Sequence, residues 1–428
     1  MDTFINFLDR YFMPVAGRLA EQRHLKAIRD GIVATMPLLL IGSFFLIIAF
    51  PPIPALDALV KPYVGDLLKI VNATFGIIAM VASFSIAYSL AGSYRLDALA
   101  AGILSLSAFM VAIPLTQEGN IPLKWMGSQG LFVAIIIAIF TVEVQRKFVE
   151  KNLIIRMPEG VPPSVARSFA ALIPGFVILL VVWFINLILI KKLDLSIPEF
   201  INKVVAIPLM HIGASLPAFL IAVFAVQLLW SVGIHGSAVV YDGIMKPIWL
   251  ALAEQNAAAK MAGAAILPNI ITVQFFEIFV QSTGSGVTLP LVLLSIFVAK
   301  SKQVKAVGKA AIMPGIFNIN EPVTFGMPIV MNPIMIIPFI LAPLVVSVIT
   351  YFAMSLNFVA RPYAIVPWTI PMPLSGFFAT GDWKAGVLQI VNIIVAGAIY
   401  YPFFKLWDKK KLEEEKQLEG KKDEVLES

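Results

Sequence analysis

The chain has 428 residues, contains no cysteine and carries a formal net charge of +6. Hydrophobic residues make up 59% of the chain and charged residues 14%, and the mean hydropathy is +0.89. Soluble domains usually carry about 25% charged residues, which cover their surface. This composition excludes a soluble globule, a disordered chain and a disulfide-rich secreted scaffold, and it predicts an integral protein of the cell membrane.

The residue types also exclude several kinds of chemistry. The lack of cysteine rules out thiol catalysis and Cys-ligated zinc, and the sequence has neither a Walker-type phosphate loop nor a metal-spaced His/Asp/Glu cluster. Lysine and arginine lie between apolar runs instead of forming a stripe with exposed aromatic residues. We therefore expect no metal, no cofactor and no nucleic-acid partner.

Nine apolar runs approach the roughly 20 residues that cross a 30 Å hydrocarbon core. The first five are long and joined by short connectors, which predicts an N-terminal scaffold and dimerisation domain at 1–190. The runs lie at 31–50, 70–92, 97–114, 130–149, 168–190, 214–234, 287–299, 334–356 and 386–404.

The rest of the chain divides into three parts. Residues 191–213 mix apolar and polar side chains, which is typical of an amphipathic linker helix in the membrane interface. Residues 214–407 are predicted to form a C-terminal transport domain, because their apolar runs are short and broken. The tail at 408–428 alternates lysine and glutamate without an apolar face, so we expect a frayed and solvated helix end.

Prolines interrupt the transport domain most strongly between residues 310 and 375, where there are ten. An interior proline removes a helix hydrogen bond, and irregular backbone at membrane depth needs protein or a watery cavity around it. We predict one re-entrant hairpin here and another at 261–299, around the turn Thr283-Gly284-Ser285-Gly286. The predicted fold class is an all-α polytopic membrane protein with about ten transmembrane helices, two re-entrant hairpins and an interfacial amphipathic helix.

Basic loops predict the orientation of the chain. The connector at 143–167 carries five lysines or arginines and the loop at 300–309 carries four, which places both in the cytoplasm. Lys191 and Lys192 disagree with this assignment, because the same count places them outside. The first 30 residues show no small-residue cleavage site, so both termini are predicted to be cytoplasmic.

Ionisable side chains inside apolar segments are costly and mark candidate functional sites. Glu321 is the sharpest candidate, because it stands between Asn320 and Pro322 in the broken apolar region. Asn318 and Asn320 carry the hydrogen-bonding groups that hold sugar hydroxyls, and partial burial would move the carboxyl towards general-base chemistry. The alternative is a carboxylate that only caps a restarting helix.

His235 is the second candidate and ends an apolar run between two glycines, Gly233 and Gly236. Glycines let a ligand approach the backbone closely, and Trp230 supplies a ring that stacks on a sugar face. A satisfied core histidine is the alternative. Trp368 is a second candidate stacking ring, and its alternative is an anchor in the membrane interface.

Five further ionisable residues have less specific surroundings. Glu143 and His211 are expected in the membrane interface. Asp242 and Glu254 flank a short segment whose depth the sequence leaves open, and Glu277 lies in a hairpin arm, either paired or facing water.

The segment Asn318-Ile319-Asn320-Glu321-Pro322, followed by Phe325-Gly326-Met327-Pro328-Ile329-Val330-Met331-Asn332-Pro333, resembles the signature of the membrane (IIC) component of sugar phosphotransferase systems. The similarity is to the lactose/cellobiose/diacetylchitobiose branch and covers nearly the whole chain. The His235 segment, the Gly-Ser-Gly turn and the Tyr-Tyr-Pro-Phe-Phe-Lys ending at Lys405 agree in order and spacing. Thr283 departs from the glycine that is common in relatives, and the Ile370–Pro373 segment also differs.

This resemblance implies import of a β-linked disaccharide coupled to phosphorylation of its 6-hydroxyl, by a homodimer in the lipid bilayer of a bacterial cell membrane. It implies that the chain is the membrane subunit of a sugar phosphotransferase enzyme and that its catalytic residues, Glu321 and His235, hold that hydroxyl, with Glu321 acting as base or hydrogen-bond acceptor. The residues expected to bind sugar are Asn318, Asn320, Trp230, Trp368, Gly284 and Gly286.

The partners follow from the same resemblance. The phosphoryl donor in this branch is a phosphocysteine on a IIB protein, which a IIA protein serves in turn. Because this chain has no cysteine, IIB must be a separate chain. The competing hypothesis is an ion-coupled secondary transporter that uses the same carboxylate and releases unmodified sugar.

Overall fold

The computed structural model describes residues 18, 21–51, 53–158, 160–327, 329–330 and 332–427. Every regular element within these ranges is helical, mostly α-helix with short 3₁₀ and π segments. The chain forms two compact units. We call Arg18–Gly213 with Asp242–Ala258 the N-unit, and Ala214–Tyr241 with Ala259–Ser428 the C-unit.

The N-unit contains the regions predicted as scaffold and linker helix, together with 242–258 from within the predicted transport domain. A π-helical segment, Asn202–Ala206, joins two helices into one stretch over the predicted amphipathic segment. Up to Gly213, the helices of the N-unit are α1 (Arg23–Val33), α2 (Met36–Ala49), α3 (Asp57–Val60), α4 (Val64–Thr74), α5 (Ile78–Ser93), α6 (Ala98–Ala112), α7 (Leu123–Met126), α8 (Leu131–Glu150), α9 (Pro163–Ala170), α10 (Leu172–Leu193), α11 (Ile197–Ile201) and α12 (Ile207–Gly213).

Eight further helices complete the chain. Two π-helical segments, Ser237–Met245 and Phe275–Val280, lie among them. The helices are α13 (Leu216–Ser231), α14 (Lys246–Met261), α15 (Leu289–Phe297), α16 (Lys302–Ile316), α17 (Glu321–Gly326), α18 (Pro333–Ser355), α19 (Leu374–Thr380) and α20 (Trp383–Glu427).

Six helical stretches of the described chain are long and apolar enough to cross a membrane, judged by length and composition. A seventh results if Ile197–Gly213 and Leu216–Ser231 count as one span. Every one of the nine predicted apolar runs overlaps a helix, but α15 has only 9 residues and spans about 14 Å. The total of ten spans with two re-entrant hairpins stays a prediction. The six stretches are Arg23–Ala49, Asp57–Ser93, Ser128–Glu150, Val165–Leu193, Pro333–Ser355 and Trp383–Leu418.

Small residues let the helices of each unit approach closely, as expected for packing in a membrane. In the N-unit, a Cβ atom on Gly31 of α1 would lie 2.6 Å from the Cα atom of Ile86 in α5. In the C-unit, a Cβ atom on Gly308 of α16 would lie 2.7 Å from the Cβ atom of Ser295 in α15. The helices α15 and α16 therefore form a close-packed hairpin around a short loop.

The C-terminal helix α20 has 45 residues and is about 68 Å long, more than twice the thickness of a hydrocarbon core. Its C-terminal part therefore extends beyond the membrane. The prediction of a frayed and solvated tail is wrong as far as Glu415. Asp408 and Glu415 accept hydrogen bonds from the chain at the start of α16, because that helix end has free N–H groups to satisfy.

Candidate functional site

The turn Thr283-Gly284-Ser285-Gly286 lies in the interior of the C-unit and adopts left-handed backbone. Thr283, Gly284 and Gly286 have φ values of 71°, 90° and 84°. A left-handed backbone conformation costs energy in a threonine. The Thr283 hydroxyl offsets part of this cost by accepting a hydrogen bond from the N–H of Leu289 at 3.2 Å. This contact helps the chain to accommodate threonine at a left-handed position.

The two glycines of the turn also allow close packing. A Cβ atom on Gly284 would lie 2.6 Å from the Asn320 side chain, and one on Gly286 would lie 2.2 Å from the ring of Phe339. Tyr400 donates a hydrogen bond to the carbonyl of Gly286 at 2.8 Å. Both glycines, which the sequence predicts as sugar-binding residues, thus have a packing role in the structure.

The two asparagines of the signature fix the position of this turn. The Oδ1 atom of Asn318 accepts from the N–H of Thr283 at 2.7 Å, and its Nδ2 atom donates to the carbonyl of Trp368. The Nδ2 atom of Asn320 donates to the carbonyl of Ser285 at 2.6 Å. Both asparagines are buried, and Asn318 has a left-handed φ of 66°, which asparagine tolerates well. They join three segments that are far apart in sequence.

Glu321 is the first residue of α17 and its side chain is exposed. Within the described part of the chain, no side-chain hydrogen bond or ion pair engages its carboxylate, whereas the side chain of its neighbour Asn320 donates to the carbonyl of Ser285. Trp368 is 46% exposed, so its ring is accessible while its carbonyl is held by Asn318. The carboxylate and this ring are therefore open to a ligand.

His235 is exposed and its ring lies against Trp230, with the ring centroids 4.5 Å apart. Its Nδ1 atom accepts a hydrogen bond from the N–H of Ala238 at 3.1 Å. In the neutral ring this bond assigns the proton to Nε2, which makes Nε2 a donor. The buried Nε1–H of Trp230 has no hydrogen-bond partner among the described residues.

A glycine is required beside His235. A Cβ atom on Gly236 would lie 2.0 Å from the carbonyl oxygen of Val226 in α13, which is closer than any side chain can approach. The chain therefore passes tightly against the end of α13 as it leaves the histidine, and this contact helps to fix the His235 segment.

Three polar residues that the sequence analysis did not select connect the His235 segment to the turn. The Nε2 atom of Gln281 donates to Ser237 at 2.9 Å and to Ser285 at 3.0 Å, and the two serine hydroxyls are 3.3 Å apart. The bonds of Ser285 and Asn320 extend this connection to the segment of Glu321. The only sequence signal was the presence of polar side chains next to glycines in an apolar region.

Two of the remaining ionisable candidates of the transport domain, Glu277 and Asp242, pair with protein groups. Glu277 is buried and accepts from the hydroxyl of Tyr241 at 2.6 Å. Asp242 forms an ion pair with the buried Lys246 at 3.0 Å. Glu254 is buried in α14, outside the six candidate spans, and its Oε1 atom has no hydrogen-bond partner among the described residues. Burial raises the pKa of this carboxyl to about 8.

Glu143 lies in α8 of the N-unit, far along the chain from these segments. It accepts hydrogen bonds from the hydroxyl of Tyr94 at 2.8 Å and from Nε2 of His24 at 3.0 Å, and it pairs with Arg146 at 2.7 Å. This carboxylate therefore links three helical segments of the N-unit.

The sequence matches the family described as "Phosphotransferase system, EIIC" over residues 29–343, which is most of the chain. The chain belongs to this family. The resemblance drawn from the Asn-Glu-Pro signature is thereby confirmed. As an EIIC component, the protein is the transporter of a sugar phosphotransferase system and a multi-pass protein of the bacterial plasma membrane.

Individual relatives of this EIIC component are similar over almost their whole length. The PTS system cellobiose-specific EIIC component of Geobacillus stearothermophilus is 51% identical over 97% of this chain and 96% of the relative. The lichenan permease IIC component of Bacillus subtilis is 47% identical, over 98% and 97%. The crystal structure of the transporter ChbC, the IIC component from the N,N'-diacetylchitobiose-specific phosphotransferase system, matches with a TM-score of 0.92 and 50% identity, covering 96% of this chain and 99% of that chain.

Proposed function

We propose that this EIIC component imports a β-linked disaccharide of the cellobiose/diacetylchitobiose class and presents its 6-hydroxyl to a IIB phosphocysteine. One observation carries the proposal. A continuous set of hydrogen bonds through Ser237, Gln281, Ser285 and Asn320 ties together the segments of His235 and Glu321. The same set leaves the Glu321 carboxylate free of described partners.

The two free groups suit a sugar hydroxyl. Glu321 would accept the proton of the 6-hydroxyl, while Nε2–H of His235 donates to the same oxygen. As the new O–P bond forms, the S–P bond to the IIB cysteine breaks, the proton passes to Glu321 and the thiolate leaves with IIB. Phosphoryl transfer depends mostly on positioning and on stabilising charge, so two oriented groups are sufficient for this role.

The substrate class rests on the aromatic residues and on the relatives. The exposed ring of Trp368 would line the sugar together with the edge of the Trp230 ring beside His235. The relatives are named for cellobiose, lichenan and diacetylchitobiose, all β-linked glucose-type sugars. Binding measured in parallel for cellobiose, diacetylchitobiose and lactose would select among them.

The IIB protein would dock on the exposed basic face of α16. Lys302, Lys305 and Lys309 are all exposed and stand at helical spacing on one side of the helix. Such a face accelerates the encounter with a partner of opposite charge and loses its effect in salt. We further propose that the protein is a homodimer through the N-unit and that both termini are cytoplasmic, with IIA acting on IIB.

The test is reconstitution in proteoliposomes with phosphorylated IIB inside and radiolabelled cellobiose or diacetylchitobiose outside. The proposal expects sugar 6-phosphate to accumulate only when IIB is present. Accumulation of unmodified sugar that follows an imposed proton or sodium gradient would instead establish a secondary transporter. Labelling of a cysteine introduced at Lys410 by an impermeant reagent outside intact cells would refute the topology.

A further inference from the structure

The start of α16 is capped by two carboxylates from the C-terminal helix α20. Asp408 accepts hydrogen bonds from the N–H groups of Lys300 at 2.8 Å and Ser301 at 3.0 Å. Glu415 accepts from the N–H groups of Lys302 at 3.1 Å and Gln303 at 2.7 Å. It also accepts from the Ser301 hydroxyl at 2.7 Å, and these two carboxylates together engage four consecutive N–H groups.

This arrangement is stronger than an ordinary helix cap. The capping residue of the helix itself, Ser301, accepts only from the N–H of Val304, and the distant carboxylates accept from the N–H groups that this cap leaves free. The carboxylates also face the positive end of the helix dipole and the cluster of lysines that follows it. Ser301 and Asp408 are buried, so water does not screen these bonds fully.

The helix that is held in this way leads to the site. The hairpin of α15 and α16 is close-packed at Gly308, with its short loop next to the cap. At its other end, α15 begins just after the turn at Gly286 and α16 leads into Asn318 and Glu321. The length of α16 is about 22 Å. The α15–α16 hairpin therefore holds the Gly286 turn and the Glu321 segment at one end, and the two carboxylates of α20 clamp it at the other end.

We propose that Asp408 and Glu415 are positioning residues that clamp α16 to α20, and so hold the basic face and the Glu321 segment in register for phosphoryl transfer from IIB. This inference rests on the proposed function, because it assigns a role to the tail in the same reaction. The tail is then a part of the transfer machinery and not only a solvated end.

The experiment uses the full-length chain in proteoliposomes, with Asp408→Asn, Glu415→Gln and the double variant. Each substitution keeps the shape of the side chain and removes the charge that strengthens the bonds. Glu413→Gln is the matched control, because Glu413 lies on the same helix and, among the described residues, forms one ion pair, with Lys409 at 4.0 Å. Three quantities are measured: amide hydrogen exchange at 300–303, disaccharide Kd, and kcat/KM for phosphorylated IIB.

We expect amide exchange at 300–303 to accelerate at least about tenfold in the double variant, the effect of losing one charged hydrogen bond. We also expect kcat/KM for IIB to fall about tenfold or more, while disaccharide Kd stays within about twofold. The single variants should show smaller changes than the double variant in both amide exchange and kcat/KM for IIB. Glu413→Gln should match the unsubstituted chain.

Two results would overturn the inference. Unchanged amide exchange in the double variant would show that the carboxylates do not hold the helix start. Faster exchange with unchanged kcat/KM for IIB would show that the clamp has no role in transfer. If the unsubstituted chain does not support IIB-dependent phosphorylation, the proposed function itself fails, and this outcome is separate from either of the others. The single variants keep one carboxylate each and preserve the comparison if the double variant does not fold.

Discussion

Glu321→Gln is the sharpest test of the proposed chemistry, because the structure separates its catalytic effect from any effect on folding. The Glu321 side chain is exposed and has no hydrogen bond or ion pair with a described side chain. A substitution at such a site changes the free energy of unfolding by no more than about 0.5 kcal/mol. A large loss of activity would therefore come from the reaction and not from the fold.

The expected loss of activity follows from the role of the carboxylate. A general base contributes roughly 10²- to 10⁴-fold to a reaction, and glutamine keeps the shape and some hydrogen bonding but accepts no proton. We expect IIB-dependent phosphorylation by Glu321→Gln to fall at least about a hundredfold, with disaccharide Kd changed less. Glu321→Ala should reduce both, since it also removes a hydrogen bond to the sugar.

The assay pairs three measurements on each variant in the same detergent preparation: thermal unfolding, disaccharide binding and single-turnover transfer from phosphorylated IIB. His235→Gln is the companion variant, because it removes the ring whose Nε2–H would donate to the same oxygen. If Glu321→Gln retained near-normal single-turnover transfer with an unchanged melting temperature, the base assignment would be refuted and Glu321 would be left with a role in binding or gating.

Three further predictions follow from individual residues. Gly286→Ala should lower stability by about 2–5 kcal/mol, because the residue is left-handed and its methyl would overlap a buried ring; an unchanged melting temperature would contradict this. Neutralising Lys302, Lys305 and Lys309 should slow association with IIB at low salt and leave disaccharide binding unchanged. Equal association rates of the variant and the unsubstituted chain in stopped flow would exclude the docking face. Burial raises the pKa of Glu254 from 4.5 to about 8, so the folded chain keeps this proton where the unfolded chain has lost it, and the free energy of unfolding falls as pH rises from 4.5 to about 8. Glu254→Gln should therefore flatten the dependence of the melting temperature on pH.

Hydropathy predicted the helices well, because it is a property of consecutive residues. All nine apolar runs overlap a helix, and the family signature around Glu321 correctly identified an EIIC component. The proline-rich region was harder to interpret. The helix α18 continues through Pro338 and Pro343, although each proline lacks the N–H that would bond to the carbonyl four residues earlier, because a helix packed among neighbours in a membrane protein tolerates this loss.

The contacts that build the site were beyond prediction from one sequence, because their partners lie far apart in the chain. Asn318 and Thr283 are separated by 35 residues, and Gln281 and Ser237 by 44. Glu415 meets Lys302 across 113 residues. Neither composition nor periodicity carries information about such pairs. The tail was therefore interpreted as solvated, and Gln281 was not selected at all.

The chemistry of the side chains explains why the asparagines of the signature hold the backbone while Glu321 stays free for a ligand. An asparagine carries both a donor and an acceptor, so Asn318 can bridge an N–H group and a carbonyl of two separate segments. A carboxylate only accepts, and the backbone groups to which the Nδ2 atoms of Asn318 and Asn320 donate are carbonyls. Glutamate cannot take part in those bonds. Glu321 is therefore the member of this segment that stays free for a hydroxyl donor, and the asparagines beside it hold the backbone on which it stands.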